Sequence, residues 1–413
     1  MTGVLAFTAL AALLVVVARG GSPRVEFVVA SVSAGCVLLG GALSWSDARH
    51  ALGVLGPTLG FLAAIFVIAE VAGAAGLFAA AGAQISRLAR SPRGVVVLVA
   101  LASAAITAVL SLDATVVLFT PVVVLVVRNR RAAADPALVT TTQMANGSSL
   151  LLPVSNLTNL LVFSATGLSF AGYALRMALP TVVAVAVITL VGARRASPEA
   201  CPQPVTVERV PLGWFSRLTA VCLVLILVAF LVSSLLGVEP VWIAAGGAVV
   251  LGAAALVTHR LTLTRAVRAV SPGFLIFVAA LTVVVAAADH HGLRTAAQHL
   301  VPRGSGFLAL LGITALGALL ANLINNLPAT LLLLTVIPSG AAPQLLALLV
   351  GVNVGPNATY TGSLATLLWR RAVRQAGVEP PAGAFYRMAL VATPVALLAS
   401  TGALWVTLRL VGT

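Results

Sequence analysis

The chain has no lysine; all 24 of its basic residues are arginine. A Walker-type phosphate loop needs a lysine, so no such ATP-binding motif is possible in this chain. Any uphill work must draw on an ion gradient or on a separate subunit. Cysteine is also scarce. Cys36, Cys201 and Cys222 are dispersed, and their spacing gives neither a disulfide framework nor a thiolate metal site. The five histidines, His50, His259, His290, His291 and His299, fall in expected loops with no His-Glu-x-x-His pattern. An intramembrane zinc hydrolase therefore lacks its ligands, and the adjacent His290 and His291 read as solvated loop residues. No cofactor is expected. The first 18 residues carry no basic flank ahead of their apolar run, which suits a first membrane helix better than a cleaved signal.

Charge of either sign is sparse, at 8% of residues against about 25% in soluble domains. Hydrophobic residues make up 60%, and the mean hydropathy is +1.12. This is the composition of a polytopic membrane protein, about a dozen segments of some 20 residues each. The formal charge of +14 would ordinarily raise nucleic acid as a partner. Here the arginines cluster in short loops between apolar runs, where the positive-inside rule puts them. Nucleic acid is excluded, and the lipid bilayer is the expected surrounding.

Apolar segments run over about 3–18, 25–44, 55–83, 94–110, 114–127, 138–166, 172–192, 218–236, 241–257, 272–288, 305–321, 327–338, 343–369 and 384–409. Two of them, 114–127 and 327–338, reach only about 21 and 18 Å at 1.5 Å per residue, short of the ~30 Å hydrocarbon core. Arg87, Arg90 and Arg93 precede 94–110, and Arg128, Arg130 and Arg131 follow 114–127. Basic flanks at both ends put those ends on one side. Residues 94–127 are therefore expected to form a re-entrant inner hairpin with Leu112–Thr115 at its tip. Residues 305–338 read as its outer counterpart, with Asn322–Thr330 at the tip.

The expected fold is all-α: about ten transmembrane helices, two re-entrant hairpins and two discontinuous helices. It divides into a first membrane repeat (1–192), a cytoplasmic connecting loop (193–217) and a second repeat (218–413), with both termini outside. Arg194, Arg195, Arg209 and Arg217 then lie inside, while Asp47, Arg49 and Glu239 fall in outer loops. Weak internal matches support a repeat. Ala114-Thr115 pairs with Ala329-Thr330 at an offset of 215, and Gly76-Leu77 with Gly292-Leu293 at 216. Gly147, Ser155 and Thr158 pair with Gly355, Ser363 and Thr366 at 208. Equivalent segments start on opposite faces, as in the inverted repeats of secondary transporters.

Each half thus has a hairpin tip followed by a second interrupted segment. The polar residues at these four breaks are the candidate substrate groups. In the first half they are Ser111 and Thr115, then Asn146, Ser155, Asn156, Thr158 and Asn159. In the second they are Asn322, Asn325, Asn326 and Thr330, then Asn353, Gly355, Asn357, Thr359, Thr361, Ser363 and Thr366. Gly and Pro unwind the helix and free backbone groups, while small amides and hydroxyls supply donors and acceptors. The competing reading is helix–helix adhesion, which small and polar residues also provide in lipid. An ionised carboxylate at this depth must pair, bind a cation or take a proton. Asp113 is the candidate proton-coupling group. Glu70 shares that candidacy, in competition with a structural ion pair to Arg176 or another cation. Glu26 is expected to snorkel to an interface, and Arg176 and Arg387 to anchor there.

At these motifs the chain resembles the bacterial arsenite permeases of the ArsB type, in the ion-transporter superfamily. The resemblance rests on Leu112-Asp-Ala-Thr-Val-Val-Leu-Phe-Thr-Pro121, Val154-Ser-Asn-Leu-Thr-Asn159, Asn325-Asn-Leu-Pro-Ala-Thr330 and Gly355-Pro-Asn-Ala-Thr-Tyr-Thr-Gly-Ser-Leu-Ala-Thr-Leu-Leu-Trp-Arg370. It implies export of arsenite and antimonite as neutral hydroxides in exchange for protons, in some systems with a cytoplasmic arsenite-stimulated ATPase. It also implies a homodimer with elevator-like motion. Sodium-coupled dicarboxylate relatives carry Ser-Asn-Thr at both tips; this chain does not, which argues against two sodium sites. One cation site at Asp113 stays open, so sodium/proton exchange or organic-anion transport is the alternative. A membrane scaffold without flux is a third.

Overall fold

The computed structural model describes residues 1–19, 22–130, 134–196 and 212–412; all regular elements within them are helical. Arg131, Cys201 and Arg209, with most of the expected connecting loop, lie outside those residues. The loop is also shorter than expected, because helix continues to Arg195 and resumes at Trp214.

The first half runs α1 (Thr2–Ala18), α2 (Pro23–Leu39), α3 (Trp45–Ala74), α4 (Leu77–Leu88) and α5 (Pro92–Val109). Next comes α6, which consists of Leu112–Ala114, a π-helical turn Thr115–Phe119 and Thr120–Arg130. After it follow α7 (Ala134–Ser148), a 3₁₀ turn Pro153–Ser155, α8 (Leu157–Thr166) and α9 (Phe170–Arg195). The second half runs α10 (Trp214–Leu236), α11 (Pro240–Val257), α12 (Leu263–Ala269), α13 (Pro272–His290) and α14 (Leu293–Ala297). It closes with α15 (Phe307–Ile324), α16 (Asn326–Val336), α17 (Ala342–Val354), a 3₁₀ turn Gly355–Ala358, α18 (Leu364–Gln375) and α19 (Ala382–Val411).

Helix ends follow local chemistry. Serine caps begin many of them: Ser91 Oγ accepts from the Gly94 N–H at 3.0 Å and Ser169 Oγ from the Gly172 N–H at 3.0 Å. Gly76 and Gly292 take positive φ of 76° and 100° and interrupt α3–α4 and α13–α14 at equivalent places, a conformation open to glycine without a Cβ penalty. The expected segment 55–83 is therefore two helices. The first starts at Trp45 and takes Asp47, Arg49 and His50 into α3, since Ser44 caps it ten residues before the apolar run begins. His290 is likewise helical rather than in a loop.

Among the described residues nine helices are long and apolar enough to cross a membrane. The second hairpin limb is one of them, as Leu112–Asn129. The length argument against its spanning therefore does not hold. What marks α5–α6 as a hairpin is where its turn lies: Leu110, Ser111 and Leu112 are buried inside the protein, against the second half. The turn is at Leu110–Ser111, just before the expected tip, and Asp113 sits in the first turn of the descending limb. The second hairpin turns at the single residue Asn325, φ 76°. α16 has 11 residues and cannot span. Counting α1 and α2, and taking α7/α8 and α17/α18 as broken crossings, ten crossings and two hairpins result.

The two halves exchange contacts crosswise. The first limb of each hairpin packs on its own half's 3₁₀ turn, α5 on Pro153–Ser155 and α15 on Gly355–Ala358. The second limb reaches over: α6 packs on α18, and α16 on α8. Exposed Trp45, Trp214 and Trp242 at the starts of α3, α10 and α11 mark interfacial levels.

A chamber at four helix breaks

Both hairpin tips and both broken helices open onto one small chamber of about 40 Å³. Its wall includes Leu112 and Asp113 from α6, Asn156, Leu157 and Thr158 from α8, Asn325 and Asn326 from α16, and Ser363, Leu364 and Ala365 from α18. At some 10–15 Å³ per water it holds about three waters, or one solute of a few heavy atoms. A vestibule of about 510 Å³ adjoins it, sharing Glu26, Asp113, Phe274, Phe277 and Leu364. The vestibule also takes in Arg24, Glu70, Ser111, Ala269 and Ser271, on the arginine-bearing side of the chain.

Every helix that reaches the chamber at a break does so by its N-terminus. Caps hold three of these ends: Ser111 Oγ accepts from the Ala114 N–H at 3.2 Å, Asn156 Oδ1 from the Thr158 N–H at 3.3 Å and Ser363 Oγ from the Ala365 N–H at 3.1 Å. Each helix end carries a partial positive charge of about +0.5, so the four ends favour electron-rich groups in the chamber.

Most of the other expected site residues do not face the chamber; they build its frame. Asn353 Nδ2 donates to Asn159 Oδ1 at 2.6 Å, and Asn353 Oδ1 accepts from Asn156 Nδ2 at 2.6 Å and from Thr158 Oγ1 at 3.0 Å. Asn146 Nδ2 donates to Asn357 Oδ1 at 3.0 Å and to Thr366 Oγ1 at 3.4 Å. The amide before each break therefore bonds the threonine after the other half's break. Asn159 Nδ2 donates to the carbonyls of Ser149 and Leu152, and Asn357 Nδ2 to that of Gln143. These amides have spent their hydrogen bonds on one another and on unwound backbone.

The hairpins are pinned in the same way. Thr107 and Thr115 hydroxyls meet at 2.7 Å across the first, and Ser155 Oγ donates to the Ala108 carbonyl at 3.2 Å. Asn322 Nδ2 donates to the carbonyls of Ala318 and Gly355 at 2.8 Å, while its Oδ1 accepts from Thr359 Oγ1 at 2.8 Å. Asn325 Nδ2 donates to the Thr361 carbonyl, and Thr330 Oγ1 to that of Asn326. Gly355 has a packing reason: a Cβ there would lie 2.5 Å from Ala318 Cα. Of the expected groups, Asp113, Asn156, Thr158, Asn325, Asn326 and Ser363 border the chamber. Ser111 and Glu70 border the vestibule.

The three acids of this region differ. Glu70 is paired, its Oε1 2.6 Å from Arg265 Nε, so its cation is Arg265 and not Arg176. Arg176 instead donates to the Gly172 and Gly412 carbonyls. Asp113 and Glu26 have no hydrogen-bond or ion-pair partner among the described residues. Glu26 departs from its expected snorkelling. It is only 7% exposed and borders both spaces, because α2 starts so close to the cavity that its first turn faces inward. Phe274 and Phe277 of α13 line both spaces, and nothing in the sequence singles them out. One acid in a first helical turn and two phenylalanines in an apolar run look the same at a lipid face.

Broken helices meeting hairpin tips around a buried polar chamber define a membrane transporter, not an enzyme. The family follows from the sequence: the chain belongs to the citrate transporter family (CitMHS), whose model matches residues 5–355, and so to the ion-transporter superfamily. It is 27% identical over 371 residues to the arsenical pump membrane protein of Escherichia coli K12, covering 83% of this chain and 84% of that protein. To the arsenical pump membrane protein of Yersinia enterocolitica it is 27% identical over 412 residues, covering 91% and 92%. Among solved structures, the Alcanivorax borkumensis YdaH transporter shares the fold with a TM-score of 0.60 at 18% identity, over 90% of each chain.

Proposed function

We propose that the protein exports arsenite and antimonite as neutral hydroxides from the cytoplasm across the inner membrane, in exchange for protons. The observation that carries this reading is the chamber's chemistry. Its polar groups are amides, hydroxyls and helix N-terminal N–H groups, with carboxylates and, among the described residues, no cationic side chain or thiol. As(OH)3 is small, uncharged and able both to donate and to accept, so it matches that set and that volume. Three converging thiolates would hold trivalent arsenic too firmly for turnover; Cys36 and Cys222 lie outside the chamber. The names carried by the relatives agree. Asp113 is the residue that takes and releases the proton.

In this scheme the two halves are inverted repeats, the hairpin units move against the rest, and the vestibule faces the cytoplasm. A homodimer and a cytoplasmic ATPase remain part of the proposal through the family resemblance. The second reading is a small organic anion as substrate, favoured by four converging helix N-termini and by the citrate transporter description. Two carboxylates at the chamber weigh against it. Expression in an arsenite-sensitive cell separates the two: lowered arsenite accumulation supports export, and unchanged accumulation with anion uptake supports the alternative.

A further inference from the structure

Glu26 and Asp113 stand on different packing units. Asp113 is on α6, whose neighbours are α3, α4, α5, α7 and α18, whereas α2 packs on α1 and α13, with α3 touching both α6 and α13. The two side chains nevertheless border the same chamber and the same vestibule. Glu26 is more than nine-tenths buried and no donor satisfies it among the described residues. A carboxylate kept for structure would have a cation, as Glu70 has Arg265. Unpaired intramembrane acids mark proton or ion paths.

We infer that Glu26 and Asp113 form one two-carboxylate proton site across the seam between these units, with Glu26 a coupling residue in its own right. This rests on the proton-coupled reading above. Two ionised carboxylates in the wall of one chamber of about 40 Å³ each disfavour ionisation of the other. One proton taken up on either carboxyl removes that charge, and its release restores two carboxylates. Protonation removes repulsion across the seam and deprotonation restores it, so proton state and relative position are linked. The other charges facing Glu26 are few. Arg24 lies on its own helix, Arg371 of α18 is within Coulomb reach, Arg265 is occupied by Glu70, and Arg19 ends α1. The lining residues from α1 and α13 are neutral: Val17, Phe274 and Phe277, with Ser271 just ahead of α13.

Infrared difference spectra of the purified full-length protein, followed through a pH titration, read each carboxyl group directly. Wild type, Glu26→Gln and Asp113→Asn are compared. A shared site predicts that each substitution removes one carboxyl band and moves the midpoint of the survivor by about one pH unit or more. Survivors with wild-type midpoints would overturn the pairing. Glu26→Gln is isosteric, and Asp113→Asn reads the same coupling from the other side should one variant fail to fold. The titration needs no arsenite. Absence of arsenite flux in wild type would count against the proposed substrate alone, while independent titrations would count against the shared site alone.

Discussion

Asn353 holds three side chains of the other half at once: it donates to Asn159 and accepts from Asn156 and Thr158, at 2.6, 2.6 and 3.0 Å. All four residues are buried, so removing the shared amide leaves their polar groups without that partner. Each orphaned group costs about 1–3 kcal/mol. Asn353→Ala is expected to lower the melting temperature in detergent markedly. Asn159→Ala/Asn353→Ala should cost less than the sum of the single changes, because the partners belong to one network. Strictly additive losses would contradict the network.

The crossing of α15 and α17 depends on glycine. A Cβ at Gly355 would meet the backbone at Ala318, and one at Gly351 would meet the Thr314 carbonyl. Backbone cannot swing away as a flexible side chain can. Gly355→Ala is therefore expected to destabilise by about 1–3 kcal/mol through overpacking, measured by thermal unfolding. Wild-type stability would mean that the crossing relaxes.

Glu70 provides the contrast to Asp113. Its partner Arg265 is 61% exposed, so solvent screens the pair and its worth is under about 1 kcal/mol. Glu70→Gln should leave stability within that margin and leave proton-driven transport intact. Loss of coupling in this variant would move the proton site from the chamber to the vestibule wall.

Legibility in the sequence followed where polar residues interrupt apolar runs. The hairpins, the broken helices and Asp113 were readable because Gly, Pro, Asn and acids are costly in lipid and stand out against it. Which asparagines face the solute was not readable. Asn353 and Asn156 carry the same side chain in the same kind of break, and only the three-dimensional frame decides that one is saturated and the other borders the chamber. Glu26 was misread for a related reason. Position in a helix's first turn fixes its distance from the helix end, but not whether that end meets water or a cavity. The limb of α6 looked short because Leu112 and Asp113 were counted as tip rather than helix.

The orientation of the vestibule has its own test. Ser271 borders it, on the side of the arginine-bearing loops. With Cys36, Cys201 and Cys222 replaced, Ser271→Cys should react with a membrane-impermeant thiol reagent in everted vesicles and stay protected in intact cells. The opposite pattern would reverse the assignment of the two faces.

The central claim is that Asp113 carries the proton exchanged for the solute. Arsenite uptake into everted membrane vesicles, driven by an imposed pH gradient, measures it most directly. Wild-type protein should accumulate arsenite, and Asp113→Asn, expressed to the same level, should lose the gradient-driven component entirely. Gradient-driven uptake at the wild-type rate in Asp113→Asn vesicles would contradict the account.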